Sequence, residues 1–299
     1  HLNHGGTEMG QGLFTKVAQV VATVFQIDIE NIKISSTRTD KVPNTSATAA
    51  SAGSDLNGMA AFDAANQIKG RMVGVASKFF GVEENGIEFR QNRIYGGNES
   101  IPFAELAQKT WEARESLSAT GFYQTPDISW DPVTCSGSPF YYFTYGFAVS
   151  EVVIDTLTGE NRVLRADILQ DCGNSLNPRV DYGQIEGAYV QGMGWLTCEE
   201  LVWSDKGELL THGPSTYKIP GSRDIPGDFN IHILEDAPNR VPTIFRSKAI
   251  GEPPLMLAIS VWLALRDAVS RSGDGLKRPN LNAPATPEAI LKAVLEIRN

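Results

Sequence analysis

Cysteine is scarce. The 299 residues contain three, Cys135, Cys172 and Cys198, far apart and in no C-x-x-C pair. That excludes a disulfide framework and gives no zinc or iron–sulfur signature, so a reducing, cytoplasmic setting is expected. Positive charge is in deficit: 26 Lys and Arg against 35 Asp and Glu leave a net charge of −9. Such a balance argues against nucleic acid or an anionic membrane surface as partner, since both favour a basic patch. Long apolar runs are missing as well. The longest, from Leu255 to Leu265, falls short of the roughly 20 residues that a spanning helix needs, and no signal or transit peptide pattern is visible. Histidine offers no metal site: His1 and His4 lie three apart with no third ligand, and His212 and His232 are isolated. Residue 1 is His and "HLNHGG" enters a motif at once, so the chain is expected to be a piece of a longer one.

What is present is the composition of a globular protein, 41% hydrophobic and 20% charged, with room for one large or two ordinary domains. Residues 13–25 place Leu13, Val17, Val20, Val21, Val24 and Phe25 at helical spacing. The alternation of Ile32 and Ile34 predicts a strand over 31–40. An Ala-rich helix is expected over 52–69, a hairpin over 86–97 and a short helix over 103–115. Residues 141–171 read as two long strands around "TLTGEN". A helix is expected over 181–201 despite its four glycines, which suggest close packing against a backbone or a ligand. A hairpin in "LVWSDKGELL", a strand in "DFNIHILED" and helices over 255–270 and 286–297 complete the chain, the last capped by "TPEAI". Without a regular βαβ alternation, repeat or low-complexity linker, the class is α+β, with mixed helices and antiparallel sheets.

Four stretches carry candidate chemistry. "HGGTEMGQG" (4–12) packs four glycines ahead of a helix. It suits an anion at the helix N-terminus, yet matches neither the P-loop nor the dinucleotide fingerprint, and a tight turn explains it equally well. "VPNTSATAASAGSD" (42–55) leads into the Ala-rich helix, where Ser51 and Ser54 either cap the helix or hold a polar ligand; capping is the simpler reading. In "GQIEG", Gln184 has an amide able to donate and accept at once, as a heterocycle edge requires, though a plain surface residue accounts for it. In "RSKAIGEPPL", Gly251 and two prolines hold Glu252 on a rigid corner at a helix start. There it either complements the helix dipole or acts as a general base in a closed pocket.

In this order, "NHGGTEMGQGLFTKVAQVVA", "VPNTSATAAS", "TGFYQTP", "YFTYGFAVSEVVIDTLTGE", "SLNPRVDYGQIEGAYVQGMG", "GPSTYKIP" and "SKAIGEPPL" resemble the xanthine dehydrogenase family, in the C-terminal part of its molybdopterin-binding region. The match covers essentially the whole chain, 1–299, with sub-lobes of about 1–140 and 141–299. "GEPPL" and "TGFYQTP" look like the xanthine enzymes rather than the aldehyde oxidases. The resemblance implies a molybdopterin cofactor with molybdenum and oxidation of hypoxanthine or xanthine to urate, by oxygen transfer at the metal with hydride passing to its sulfido ligand. It implies that Glu252 is the catalytic base, that Gln11 contacts the cofactor beside Met9 and Gly10, and that the backbone of Ala50 approaches molybdenum. It also implies that Ser51 and Ser54 hold the phosphate arm and that Gln184 lies on the pterin side.

The family's iron–sulfur and flavin (FAD) domains and the first half of its molybdenum region have no counterpart in these residues. The resemblance therefore implies partner domains or chains, an oligomer, and no turnover by this chain alone. Two other readings stay open: a related molybdenum hydroxylase of another N-heterocycle or an aldehyde, and a non-catalytic assembly domain.

Overall fold

The structure is a computed structural model, and it describes residues 1–42 and 45–298. The chain divides into two compact units. The first comprises His1–Phe143 and Asn239–Ala249, the second Thr144–Pro238 and Ile250–Asn299. Each has its own core.

In the first unit, α1 (Leu13–Phe25) turns Leu13, Val17, Val21, Val24 and Phe25 into the core, as the periodicity requires. It ends on Gln26 in the left-handed region, whose N–H bonds back to Ala22. The long helix α2 (Gly53–Phe80) packs beside it through Ala61, Ala65, Met72 and Ala76. Small side chains there let two helix backbones approach. Because Met72 and Ala76 continue the four-residue spacing of Ala61 and Ala65, α2 runs well past residue 69. It stops at Gly81, in the left-handed conformation (φ 68°) that favours glycine.

Three short antiparallel strands, β1 (Ile87–Arg90), β2 (Arg93–Gly96) and β3 (Glu99–Pro102), form a meander. It contributes Phe89, Ile94 and Ile101 to the same core, and α3 (Phe103–Glu112) adds Leu106. A small hairpin of β4 (Ser129–Asp131) and β5 (Ser136–Ser138) lies beyond. The strand expected over 31–40 does not form. A 3-10 turn takes Ile29–Asn31, and the rest is reduced to one parallel bridge between Leu2 and Ile34. The polar residues after Ile34 bond elsewhere, as when Thr37 Oγ1 donates to the Gly6 carbonyl.

In the second unit, β6 (Gly146–Ile154) and β7 (Asn161–Gln170) form the expected antiparallel pair, with a bulge between Glu151 and Val152. The turn joining them is fixed by Asp155, whose Oδ1 accepts from Leu157 N–H, and by Gly159 at φ 78°. After α4 (Pro178–Thr197), β8 (Asp228–Ile233) joins β7 in parallel. A 3-10 stretch, Pro253–Ala258, leads into α5 (Ile259–Arg271), and α6 (Pro287–Arg298) ends the unit. Thr286 Oγ1 accepts from Ala289 N–H, the cap read from the sequence.

One core is built from Ile168 of the sheet, Ile185 and Tyr189 of α4, Leu265 of α5 and Ile290 of α6. The Tyr189 hydroxyl is placed by that of Ser150, 2.7 Å away. The hairpin expected in "LVWSDKGELL" shrinks to a single bridge, Trp203 to Leu209. By length and composition Pro253–Arg271 is apolar enough to cross a membrane; one face of it, Val261, Leu265 and Val269, is buried in this core. The architecture is α+β, as read from the sequence, with one parallel pair, β7 to β8, beside the antiparallel ones expected.

Candidate functional site

The glycine loop closes on itself. Glu8 turns its carboxylate onto the start of α1: Oε1 accepts from Gly10 N–H at 2.9 Å and Gly12 N–H at 3.0 Å, and Oε2 from Phe14 N–H at 2.9 Å. Desolvation opposes the charge, but the N–H groups of Phe14, Gly12 and Gly10, with His4 nearby, hold the Glu8 carboxyl below its usual range. The N–H groups that suggested an anion site at α1 therefore already have an anion, supplied by the loop. That corrects the simplest phosphate reading of the motif. Gln11 is bound into the same turn, with Met9 N–H donating to its Oε1 at 2.6 Å and its Nε2 donating to the Thr7 carbonyl at 2.8 Å. Met9 stands out from the loop, 68% exposed, and Gly10 adopts φ 101°.

A second loop is tied to the first: Thr7 N–H donates to Thr48 Oγ1 at 2.8 Å. A side chain at Gly5 would collide with Thr45, about 2.0 Å from its Oγ1. Of the motif over 42–55, Pro43 and Asn44 lie outside the described residues. Ala50 and Ser51 are consecutive left-handed residues, at φ 57° and 54°. Neither is glycine, and such backbone costs on the order of 1–3 kcal/mol per residue and collects at functional sites.

The turn ends on Ala52, which occupies the N-cap of α2 and has no side-chain acceptor with which to cap it. The expectation that a serine caps this helix is thus not met at the cap position itself. Of the two helix starts, α1 has the Glu8 carboxylate bonded to it, whereas α2 carries Asp55 in its first turn, with Ser51 and Ser54 beside it. A cavity of about 1030 Å³ in this unit is lined by His4, Gly5, Thr48, Ala49, Ala61 and Phe122 among others. Met9, Gly10, Gln11, Ala50, Ser51 and Ser54 are not among its lining, though Ala49 and Gly53 are.

In the second unit, Glu252 takes the N-cap position of the stretch that Pro253 and Pro254 open. Its carboxylate makes no capping hydrogen bond to the turn. It is exposed in this chain. Gln184 of α4 is beside this corner, since a Cβ added to Gly251 would meet Gln184 Oε1 at 3.7 Å. The glycines of α4 divide into two kinds. Gly192 and Gly194 are packed too tightly for a side chain, against Leu255 and Ala258 and against Pro220, whereas Gly183 and Gly187, flanking Gln184, have nothing within 4 Å. The close packing against protein expected of these glycines is met at Gly192 and Gly194. The other two leave bare helix surface on either side of the Gln184 amide.

Comparison with known proteins decides the family. The model of the molybdopterin cofactor-binding domain matches residues 1–226. The chain belongs to this family. It is 46% identical to a xanthine dehydrogenase of Dictyostelium discoideum over 301 residues, covering 99% of this chain and 21% of that protein. It is likewise 46% identical to a xanthine dehydrogenase/oxidase of Rattus norvegicus over 300 residues, with the same coverage. The chain thus spans about a fifth of the length of these relatives. Among solved structures, the CO dehydrogenase of Oligotropha carboxidovorans superposes with a TM-score of 0.83 at 21% identity, over 99% of this chain and 35% of that one. Quinoline 2-oxidoreductase of Pseudomonas putida 86 gives 0.80 at 24% identity, over 99% and 36%. These two likenesses establish the fold.

In this molybdopterin-binding domain, strained backbone at Ala50 and Ser51 and the hydroxyls of Ser51 and Ser54 lie together at the α2 start. Two of its notable residues escape sequence reading. Glu8 leaves a weak local signal, an acid in the turn before a helix. Tyr142 leaves none: its hydroxyl donates at 2.6 Å to Oδ2 of Asp55, 87 positions away.

Proposed function

We propose that the chain is part of a molybdenum hydroxylase of the xanthine dehydrogenase type, oxidising hypoxanthine and xanthine to urate, with Glu252 as general base. The observation that carries this reading is the corner itself, an exposed carboxylate at the N-cap of a proline-led turn, following Gly251, where an added Cβ would meet Gln184 Oε1 at 3.7 Å. When bound, the molybdenum cofactor supplies oxygen transfer and accepts the electrons. Glu252 would serve as the proton acceptor beside that group, a contribution of about 10²–10⁴-fold in rate. Gln11, with Met9 and Gly10, orients the cofactor from the glycine loop. Ala50 offers its backbone near the metal, Ser51 and Ser54 take the phosphate arm at α2, and Gln184 contacts the pterin side.

The remaining parts of a longer protein or assembly complete this reading. They are the N-terminal half of the molybdenum region, which walls the pocket and orients the purine, and iron–sulfur and FAD domains that carry electrons away, within an oligomer in the cytoplasm. In the complete enzyme, Glu252→Ala is expected to lower kcat by about 10²–10⁴-fold while molybdenum content is kept. A near-normal rate per molybdenum removes Glu252 from the mechanism. Gln11→Ala is expected to lower molybdenum content, and unchanged content refutes its contact with the cofactor. A substrate panel distinguishes purine from other heterocycle or aldehyde oxidation.

A further inference from the structure

The segment that delivers Glu252 is unusual in its connectivity. The chain leaves the second unit at Pro238, contributes Asn239–Ala249 to the first, and re-enters the second at Ile250, two residues before Glu252. The excursion is heavily bonded. Asn239 Nδ2 donates to Thr243 Oγ1 and to the Ser247 carbonyl, and Thr243 Oγ1 also donates to that carbonyl at 2.6 Å. Ile244 packs on Gly58 of α2, and the Phe245 ring meets Phe62 edge-on at 5.8 Å.

Its last two residues are held by a different element. Lys248 Nζ donates to the Phe143 carbonyl at 3.0 Å, and Ala249 N–H donates to the Tyr142 hydroxyl at 2.9 Å. That hydroxyl sends its own proton to Asp55 Oδ2 at 2.6 Å, in the first turn of α2. One phenol thus joins the α2 start, the strand approach at 142–143 and the backbone three residues before Glu252.

We infer that Tyr142 is a positioning residue for Glu252, its hydroxyl clamping the Ala249 backbone to Asp55 and so fixing the chain from which the carboxylate extends. The inference rests on the proposed role of Glu252 as base. Burial raises the Asp55 carboxyl to about 6, against the hydrogen bond from Tyr142 and the nearby charge of Lys16; Tyr123 and Tyr141 also lie within its electrostatic reach. A buried carboxylate of this kind needs its donor, which makes the clamp hard to replace. A base displaced by about 1 Å costs up to about 100-fold in rate while leaving substrate binding largely intact.

The test uses the complete, molybdenum-loaded enzyme with Tyr142→Phe, which removes only the hydroxyl. The expected result is a fall in kcat per molybdenum of about 10–100-fold with KM within about twofold, together with faster amide exchange confined to residues 247–252. Asp55→Asn, whose amide oxygen still accepts from Tyr142, is expected to retain most of kcat, and Asp55→Ala to lose it. In a Glu252→Ala background, Tyr142→Phe is expected to cause no further loss. Unchanged kcat and exchange in Tyr142→Phe overturn the inference, as does a rate that falls only in proportion to molybdenum content. So does a full additional loss in the Glu252→Ala background. A Glu252→Ala enzyme of normal rate defeats the underlying mechanism instead, and is read separately.

Discussion

Asp55 shows what one side chain costs and what it is kept for. Burial raises its pKa from the 3.8 of an ordinary aspartate to about 6. The folded protein therefore holds this proton where the unfolded chain has lost it. The deprotonation penalty is absent below about pH 3.8, grows between the two values, and is fully present above about 6. The interval corresponds to about 3 kcal/mol as an upper figure. Asp55→Asn removes the charge and keeps an acceptor for Tyr142. Urea melts at pH 7.5 are expected to show the variant more stable than the parent, by at most about 3 kcal/mol, with the difference vanishing near pH 4. A difference independent of pH assigns the effect to packing instead. The acid itself is legible as a first-turn residue of α2. Its surroundings are not, because the hydrogen bond it accepts comes from Tyr142 and the nearby positive charge from Lys16, both far away in the chain.

At the scale of the element, the start of α1 is decided by Glu8 rather than by its glycines. The glycines give the turn its shape, and the carboxylate holds three of the N–H groups it exposes. Glu8→Ala is expected to destabilise the protein by about 1–2 kcal/mol, the usual worth of a lost helix cap. It is also expected to speed amide exchange at Gly10, Gly12 and Phe14; unaltered exchange there refutes the cap. Since the Glu8 carboxyl lies below its usual range, its contribution is present at neutral pH and is lost as the pH falls through that lowered value.

The same element shows which parts of the fold the sequence carries. Regular apolar periodicity with local punctuation made α1, the β6–β7 hairpin and α6 readable, because each is defined by its own residues. The strand expected over 31–40 rested on two isoleucines alone, and a ladder also needs a partner. The structure supplies a single bridge to Leu2. At the site, the loop residues and the Gly251–Glu252 corner were readable as local motifs. The carboxylate on α1 and the clamp on Ala249 were not, since each depends on where a side chain turns.

At the scale of the whole molecule, each unit has a core, but the sheet of the second unit also presents apolar residues to solvent. Phe147 is 76% and Val149 69% exposed on β6, and Phe147 lies directly across from Leu169 of β7, itself exposed. Phe147 and Val149, two positions apart on one strand, share a face. Proteins that stand alone seldom leave such a face uncovered, and the relatives this chain matches are about five times its length. An uncovered face of this kind has joint consequences for the chain produced by itself. It is expected to bind an apolar dye, to self-associate at micromolar concentration, and to form no urate from xanthine with an electron acceptor. Replacing Phe147 and Val149 by Lys is expected to suppress dye binding and association without changing the far-ultraviolet circular dichroism, because neither residue belongs to the core. A monodisperse chain that binds no dye shows that the face needs no cover, and robust urate formation shows that these residues suffice for catalysis.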